Sequence, residues 1–191
     1  MSAERAYVPV MPSTALLTAD DLLQLRIRGK CTELVGGVLV VREPPGWTHG
    51  VVAMRLGAAL ANHAQRTGVG IVLAAETGFH LASDPDTVRA PDVAFVRRDR
   101  LPPPDTVGYP VLSPDLAVEI LSPRDRPGEV LAKVADWLSA GARLVWVIDP
   151  QRRLARVYRL DGTEAQLHAD DTLDGEDVLP GFACPLATIL S

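Results

Sequence analysis

The sequence predicts an α/β (α+β) domain in which helices pack against a central sheet. Three observations carry that expectation. First, the runs Asp115 to Leu121 and Ala142 to Pro150 are almost wholly apolar, as strands are in the middle of a sheet covered on both sides. Second, the stretch between them, roughly Gly128 to Ala140, changes period: Val130, Leu131, Val134, Trp137 and Leu138 form a helical stripe. Third, from about Thr48 to Gln65, Val52, Leu56, Ala59, Leu60 and His63 recur at spacings of three and four.

Length and composition bound the rest. The 191 residues fit one domain with one substantial core, read here as 18–191 behind an N-terminal extension, 1–17. The hydrophobic fraction of 47% and charged fraction of 23% are those of a soluble globular protein. The longest run of apolar residues and glycine, Leu34 to Val41, is far too short to span a bilayer. The N-terminus has Pro9 and Pro12 and no basic flank leading into an apolar core, so no signal peptide is expected. Cys31 and Cys184 have no metal-ligand spacing and suggest no disulfide framework. A cytoplasmic protein with no membrane partner follows.

The net charge of −5 argues against a general nucleic-acid binder, because neutralising phosphates needs clustered Lys and Arg. Six acids lie between Glu164 and Asp177, however, and without them the remainder carries +1. Of 19 basic residues only Lys30 and Lys133 are lysine. A lysine in so arginine-rich a chain points to a use for a compact ammonium.

In chain order, Thr18 and Asp21 resemble a capping box and open a short helix carrying Leu22, Leu23, Leu25 and Ile27, with Gly29 as its stop. TELVGGVLVV reads as a hairpin turning on Gly36 and Gly37, with Glu33 in its first strand. His49 falls in the first turn of the next helix. IVLAAETGFHL reads as one or two strands with Glu76 between apolar residues, and Ser83 to Asp86 as a turn. Val88 to Val96 reads as a single strand; if it alternates, Asp92, Ala94 and Val96 share one face. A polar, proline-rich loop follows. In the strand from Asp115, Ala117, Glu119 and Leu121 share a face, so Glu119 is expected to be buried, which is costly for a carboxylate without a partner. Lys133 sits on the edge of its helix's stripe and can reach back toward the sheet.

The chemistry-bearing residues are therefore two acids on strands, Asp92 and Glu119, and a lysine on the following helix. Such a set can hold a divalent metal at a phosphodiester. Each member also has a plainer reading. Glu119 could pair with Arg89 or Arg143 in the core, Asp92 could cap a turn after Pro91, and Lys133 could simply snorkel. Glu33 could be a surface cross-strand partner and His49 an ordinary helix-start residue.

The order of these motifs resembles the Uma-type restriction endonucleases, within the PD-(D/E)xK nuclease superfamily. The resemblance rests on TELVGGVLVV, THGVV, VRAPDVAFV, PDLAVEILSP, EVLAKVADWLSAGARLVWVIDP and LPGFACPLATIL, from about Thr18 to Leu190. It implies a mixed central sheet flanked by helices and a Mg²⁺- or Mn²⁺-dependent endonuclease acting on nucleic acid, with DNA as the expected substrate and a homodimer as an expected assembly. The implied metal ligands are Asp92, Glu119 and the backbone carbonyl of Ile120. Lys133 takes the lysine's part, because the superfamily's usual position, two residues after the second acid, holds Leu121. Glu33 joins the catalytic group, and His49, Glu76 and Arg89 are candidate substrate contacts. The competing reading is a catalytically inactive nuclease-fold module used for binding or assembly, which the acidic net charge favours.

Overall fold

The computed structural model describes residues 15–25 and 27–191. Its elements are α1 (Ala19–Gln24), β1 (Cys31–Val35), β2 (Val38–Arg42), α2 (Trp47–Thr67), β3 (Gly70–Ala74), β4 (Phe79–Ala82), β5 (Thr87–Arg89), β6 (Val93–Arg97), β7 (Leu116–Ile120), α3 (Pro127–Ser139), β8 (Leu144–Asp149), β9 (Leu154–Arg159), β10 (Glu164–His168), β11 (Thr172–Asp174), β12 (Ala183–Pro185) and α4 (Leu186–Ile189). Six strands form the main sheet in the order β10-β9-β8-β7-β6-β3, and four form a smaller one in the order β2-β1-β5-β4. The main sheet is mixed: β7 and β8 are parallel, joined by α3, and their outer neighbours are antiparallel. This is the mixed α+β architecture the sequence predicts.

The alternation of β6 and β7 decides the layers. Val93 and Phe95 with Leu116, Val118 and Ile120 face α2, where Val52, Leu56, Leu60 and Ala64 cover them. Ala94, Val96 and Ala117 face the other way, against Val134 and Trp137 of α3. Each helix spends its apolar stripe on one face of the sheet, so both faces of β7 are dry and Glu119 is only 6% exposed.

Local chemistry explains the boundaries. The capping box at Thr18 is complete: its hydroxyl oxygen accepts from the Asp21 backbone N–H, and Asp21 accepts from the Thr18 backbone N–H. Gly36 and Gly37 both take positive φ, 55° and 76°, which a two-residue hairpin loop needs.

Three expectations are corrected. The first helix ends at Gln24, with Leu25 already extended, rather than running on to Gly29. Val88 to Val96 is two strands in two sheets: β5 pairs with β1 through Val88 and Leu34, while β6 pairs with β3 and β7. Between them lies Pro91, which has no N–H to give a ladder. Glu76 is not flanked by strand neighbours; it occupies an exposed turn between β3 and β4, at φ 67°. The N-terminal extension lies outside the described residues up to 14; Leu17 donates its N–H to the Gly37 carbonyl, at 2.8 Å.

Candidate active site

The break at Pro91 places Asp92 where the two sheets meet. Val93 stands opposite Val118, and Asp92, the residue before β6, donates its N–H to the Val118 carbonyl at 2.9 Å, beside Glu119. Asp92 is near enough for its negative charge to disfavour the ionised form of Glu119. Both acids line one cavity of about 610 Å³, along with Arg42, His49, Ile120, Arg124 and Lys133.

Glu119 is gripped from α3. Lys133 Nζ donates to its Oε2 at 2.8 Å, and Trp137 Nε1 donates to its Oε1 at 2.9 Å. Lys133 and Trp137 are four residues apart and so share a helix face. A buried indole N–H needs an acceptor, and Glu119 supplies it. Burial pushes the Glu119 carboxyl above the usual range; Lys133 opposes that, while Asp92 and Glu33 add to it. The ionised form of Glu119 is thus under-compensated.

Lys133 is shared. Its ammonium also lies 3.4 Å from Glu33 Oε1. Burial works against the charge on Lys133, but Glu119 and then Glu33 outweigh it and raise its pKa, so it is an ammonium at neutral pH. Glu33 is itself buried, at 4% exposure, and well held. It accepts from Arg89 Nη1 at 3.0 Å and from the Ala90 N–H at 3.1 Å, with Arg42 Nε at 3.6 Å. Burial raises its pKa; Lys133, Arg89, Ala90 and Arg42 together bring it below the usual value.

Asp92 Oδ2 accepts from the Ile120 N–H at 2.7 Å and lies 3.1 Å from His49 Nε2. A carboxylate only accepts, so that nitrogen is the donor. Among the described residues both bonds fall on the same oxygen. Burial opposes charge on His49, but the hydrogen bond and charge of Asp92, followed by Asp125 and Glu119, outweigh it and raise its pKa. Its Nδ1 is buried without a partner among the described residues. A strand residue's N–H and C=O project to the same side, so the Ile120 carbonyl points to the side from which Asp92 reaches.

The cavity thus brings Asp92, Glu119, Ile120, Lys133 and His49 together, with Glu33 behind Lys133. It leaves out two sequence candidates. Glu76 stays on its turn and accepts from Cys31 Sγ at 3.3 Å. Arg89 is 4% exposed and closed in by Glu33 and Asp136, to which it donates from Nε and Nη2 at 2.8 and 2.6 Å. It is a clamp on Glu33, not a group facing the cleft. The sequence reading missed Trp137, Asp136 and Arg42. Only Trp137 left a signal, being the tryptophan one turn beyond the lysine.

A hard divalent cation fits this donor set. Glu119 is a buried oxygen donor short of positive charge, half-buried Asp92 is a second, and the Ile120 carbonyl adds a neutral one. Among the described residues no three His, Cys, Asp or Glu side chains converge as a ready-made metal cluster. Two carboxylates and a carbonyl still suit Mg²⁺, which keeps several of its positions for water and phosphate oxygens.

Comparison with known proteins bears on the fold and the family. No curated protein matches the chain. A solved structure, described as a putative nuclease belonging to DUF820 from Anabaena variabilis ATCC 29413, has the same fold. Its TM-score is 0.80 at 17% identity, covering 91% of this chain and 97% of that one. The family model Uma2, described as "Putative restriction endonuclease", matches residues 19–187. With the match running through α1 to α4 and every residue of the cleft inside it, the chain belongs to the Uma2 family.

Proposed function

We propose that the protein is a metal-dependent endonuclease hydrolysing phosphodiester bonds in DNA, with Mg²⁺ or Mn²⁺ held by Asp92, Glu119 and the Ile120 carbonyl. The observation that carries the reading is Glu119: a buried acid beside Asp92 whose one cationic partner among the described residues, Lys133, is shared with Glu33. When bound, the cation would supply an activated water and neutralise the charge that builds on the phosphate.

The chain's own residues divide the remaining work. Lys133, held as an ammonium, stands at the cavity wall to meet a phosphate oxygen and to orient the attacking water. Glu33 anchors Lys133 from behind and is fixed in turn by Arg89, so the ammonium is positioned before substrate arrives. His49 and the Ile120 N–H hold Asp92 Oδ2, which orients that carboxylate. Trp137 does the same for Glu119 Oε1.

The test is cleavage by the purified full-length protein. Circular DNA, offered both single-stranded and as supercoiled plasmid, should be nicked or cut in at least one form with Mn²⁺ or Mg²⁺ and left intact in EDTA, and Glu119→Ala should abolish cutting while keeping the native circular dichroism spectrum. Cutting that persists in Glu119→Ala would place the chemistry elsewhere.

A further inference from the structure

We propose that Trp47 is a base-stacking platform at the mouth of the cleft, and that the protein therefore takes its nucleic-acid substrate as an unpaired strand. The proposal rests on the nuclease reading for the identity of the ligand, and adds which form of it is bound and by what.

Trp47 is the first residue of α2 and is 87% exposed, whereas Trp137 and Trp146 are fully buried. A lone exposed aromatic needs no explanation, but a contiguous apolar patch marks an interaction site, and Trp47 lines one hollow with Val51 and Met54. Val51 and Met54 follow at four and seven residues, on the same helix face, and Met54 is 70% exposed. Gly46 and Gly50 flank the indole with no side chain, and a Cβ at either would meet nothing within 4 Å. The ring's surroundings are open.

The platform is continuous with the cleft. Pro45 and Gly46 line both the hollow beside Trp47 and the cavity of Asp92 and Glu119. A chain whose phosphate reached the carboxylates would leave the cavity across Pro45 and Gly46, beside the indole. On the loop after β7, Arg124 lines the same cavity, is exposed, and makes no side-chain hydrogen bond or ion pair among the described residues. By contrast Arg89, Arg97, Arg100, Arg143, Arg152 and Arg159 are each bound to an acid. The cleft thus offers an open aromatic surface and an uncommitted guanidinium, which is what a single strand uses: a stacked base and a paired phosphate. A base inside a duplex has both faces covered by its neighbours and cannot stack on a side chain fixed to a helix.

The test uses the full-length protein in EDTA, so that nothing is cut. Acrylamide quenching should detect one accessible tryptophan. A single-stranded oligodeoxynucleotide should shield it, and a blunt duplex of the same sequence should not. Trp47→Ala should weaken single-strand binding about tenfold and leave duplex binding unchanged, while Trp47→Phe should keep most of the affinity. Three results would overturn the proposal: an indole still quenched at saturating single strand, Trp47→Ala binding the single strand like the native protein, or no single-strand binding at low salt. A fourth would also overturn it: sedimentation showing a dimer that Trp47→Ala dissolves, with the indole shielded before any nucleic acid is added. The two readings fail separately. Mn²⁺-dependent plasmid cutting with an indifferent Trp47 would sink the platform alone. Shielding and a tenfold loss without cutting under any metal would support the platform and sink the nuclease.

Discussion

Strand β7 has a buried acid near each end, and the two are built to opposite plans. Asp115, just before the strand, is completely buried and completely answered. Its Oδ2 accepts from the Arg97 N–H at 2.9 Å, its Oδ1 from Arg100 Nη1 at 2.7 Å, and Arg100 is braced by the Ser113 carbonyl at 3.0 Å. Glu119, four residues on, has one ammonium that it must share with Glu33, and Asp92 beside it. Burial is common to both, so burial does not mark the site. What marks it is a deficit of positive charge that the fold leaves in place. Asp115 ties the loop after β6 to the start of β7, whereas Glu119 is left short of positive charge, which is the gap the proposed cation would fill.

The sharpest way to break this comparison is to neutralise each acid. Glu119→Gln removes half of the carboxylate charge holding the cation, and losing several kcal/mol of transition-state stabilisation should lower the cleavage rate about a thousandfold or more. Asp115→Asn should leave the rate per folded molecule within about twofold. Cutting of single-stranded and plasmid circular DNA, normalised to folded protein by circular dichroism, measures both. Equal losses in the two variants would mean the distinction is false.

Stability should invert that order. Asp115→Ala strands the partly buried Arg100 and an unbonded Arg97 N–H, at a cost of about 3 kcal/mol, or roughly 6–12 °C in melting temperature for a domain of this size. Glu33→Ala, which leaves Arg89 with Asp136 alone and the Ala90 N–H unmet, should cost a similar amount. Glu119→Gln keeps one acceptor oxygen and turns the other into an N–H₂ donor, so it loses the bond to either Lys133 or Trp137, but it should cost less than Asp115→Ala because Lys133 keeps Glu33. Scanning calorimetry of the three variants would decide it; a large loss in Glu119→Gln would put Glu119 with Asp115 as a structural residue.

Added metal should then separate them again. At Mn²⁺ concentrations about a hundred times the dissociation constant, linkage stabilises the native state by about 2.7 kcal/mol, roughly 5–11 °C here. Native protein and Asp115→Asn should both show the rise, and Glu119→Gln should not. A rise retained in Glu119→Gln would locate the cation away from this cleft.

In the sequence the two acids look alike, since PDLAVEIL offers each as a carboxylate in an apolar strand. The alternation of β6 and β7 was legible, because period-two patterning alone assigns Ala94, Val96 and Ala117 to one layer and Phe95, Leu116 and Val118 to the other. So was the helix bearing Lys133, from its stripe. Pairings across the chain were not legible. Nothing in the residues around Arg89 says that Glu33 and Asp136, 56 and 47 positions away, close around it. The split of Val88 to Val96 was hidden too, although Pro91 was in plain sight: a proline excludes a ladder bond but does not say that the chain will leave one sheet for another. Glu76 was misplaced because its neighbours' hydrophobicity looked like a strand, whereas the turn there is made by a non-glycine residue at positive φ.

The smallest expected effect is the most specific, because it reads the charge deficit directly. Glu119 has a folded-state pKa above its ordinary value of 4.5, so the folded protein binds more protons there than the unfolded chain does. Stability must then fall as pH rises from the ordinary carboxylate range through the raised value. Glu33 runs the other way. Its folded pKa is lowered, so its contribution is present above the ordinary value and is lost as pH falls through the lowered one. Lys133, raised from 10.5, adds stability that persists until pH passes its own elevated value, well above the window in question. Above the ordinary carboxylate range, the melting temperature of Glu119→Gln minus that of the native protein should therefore rise with pH from the small deficit left by the lost acceptor. The matching difference for Glu33→Gln should be negative at neutral pH and shrink as the solution is made acid. Asp92 and Lys133 both set the deficit at Glu119, so adding Asp92→Asn to Glu119→Gln should steepen nothing further, whereas Asp92→Asn alone should flatten the native slope. A difference curve for Glu119→Gln that stays level across this range would mean that Lys133 already balances Glu119, and that the cleft has no charge left to offer a cation.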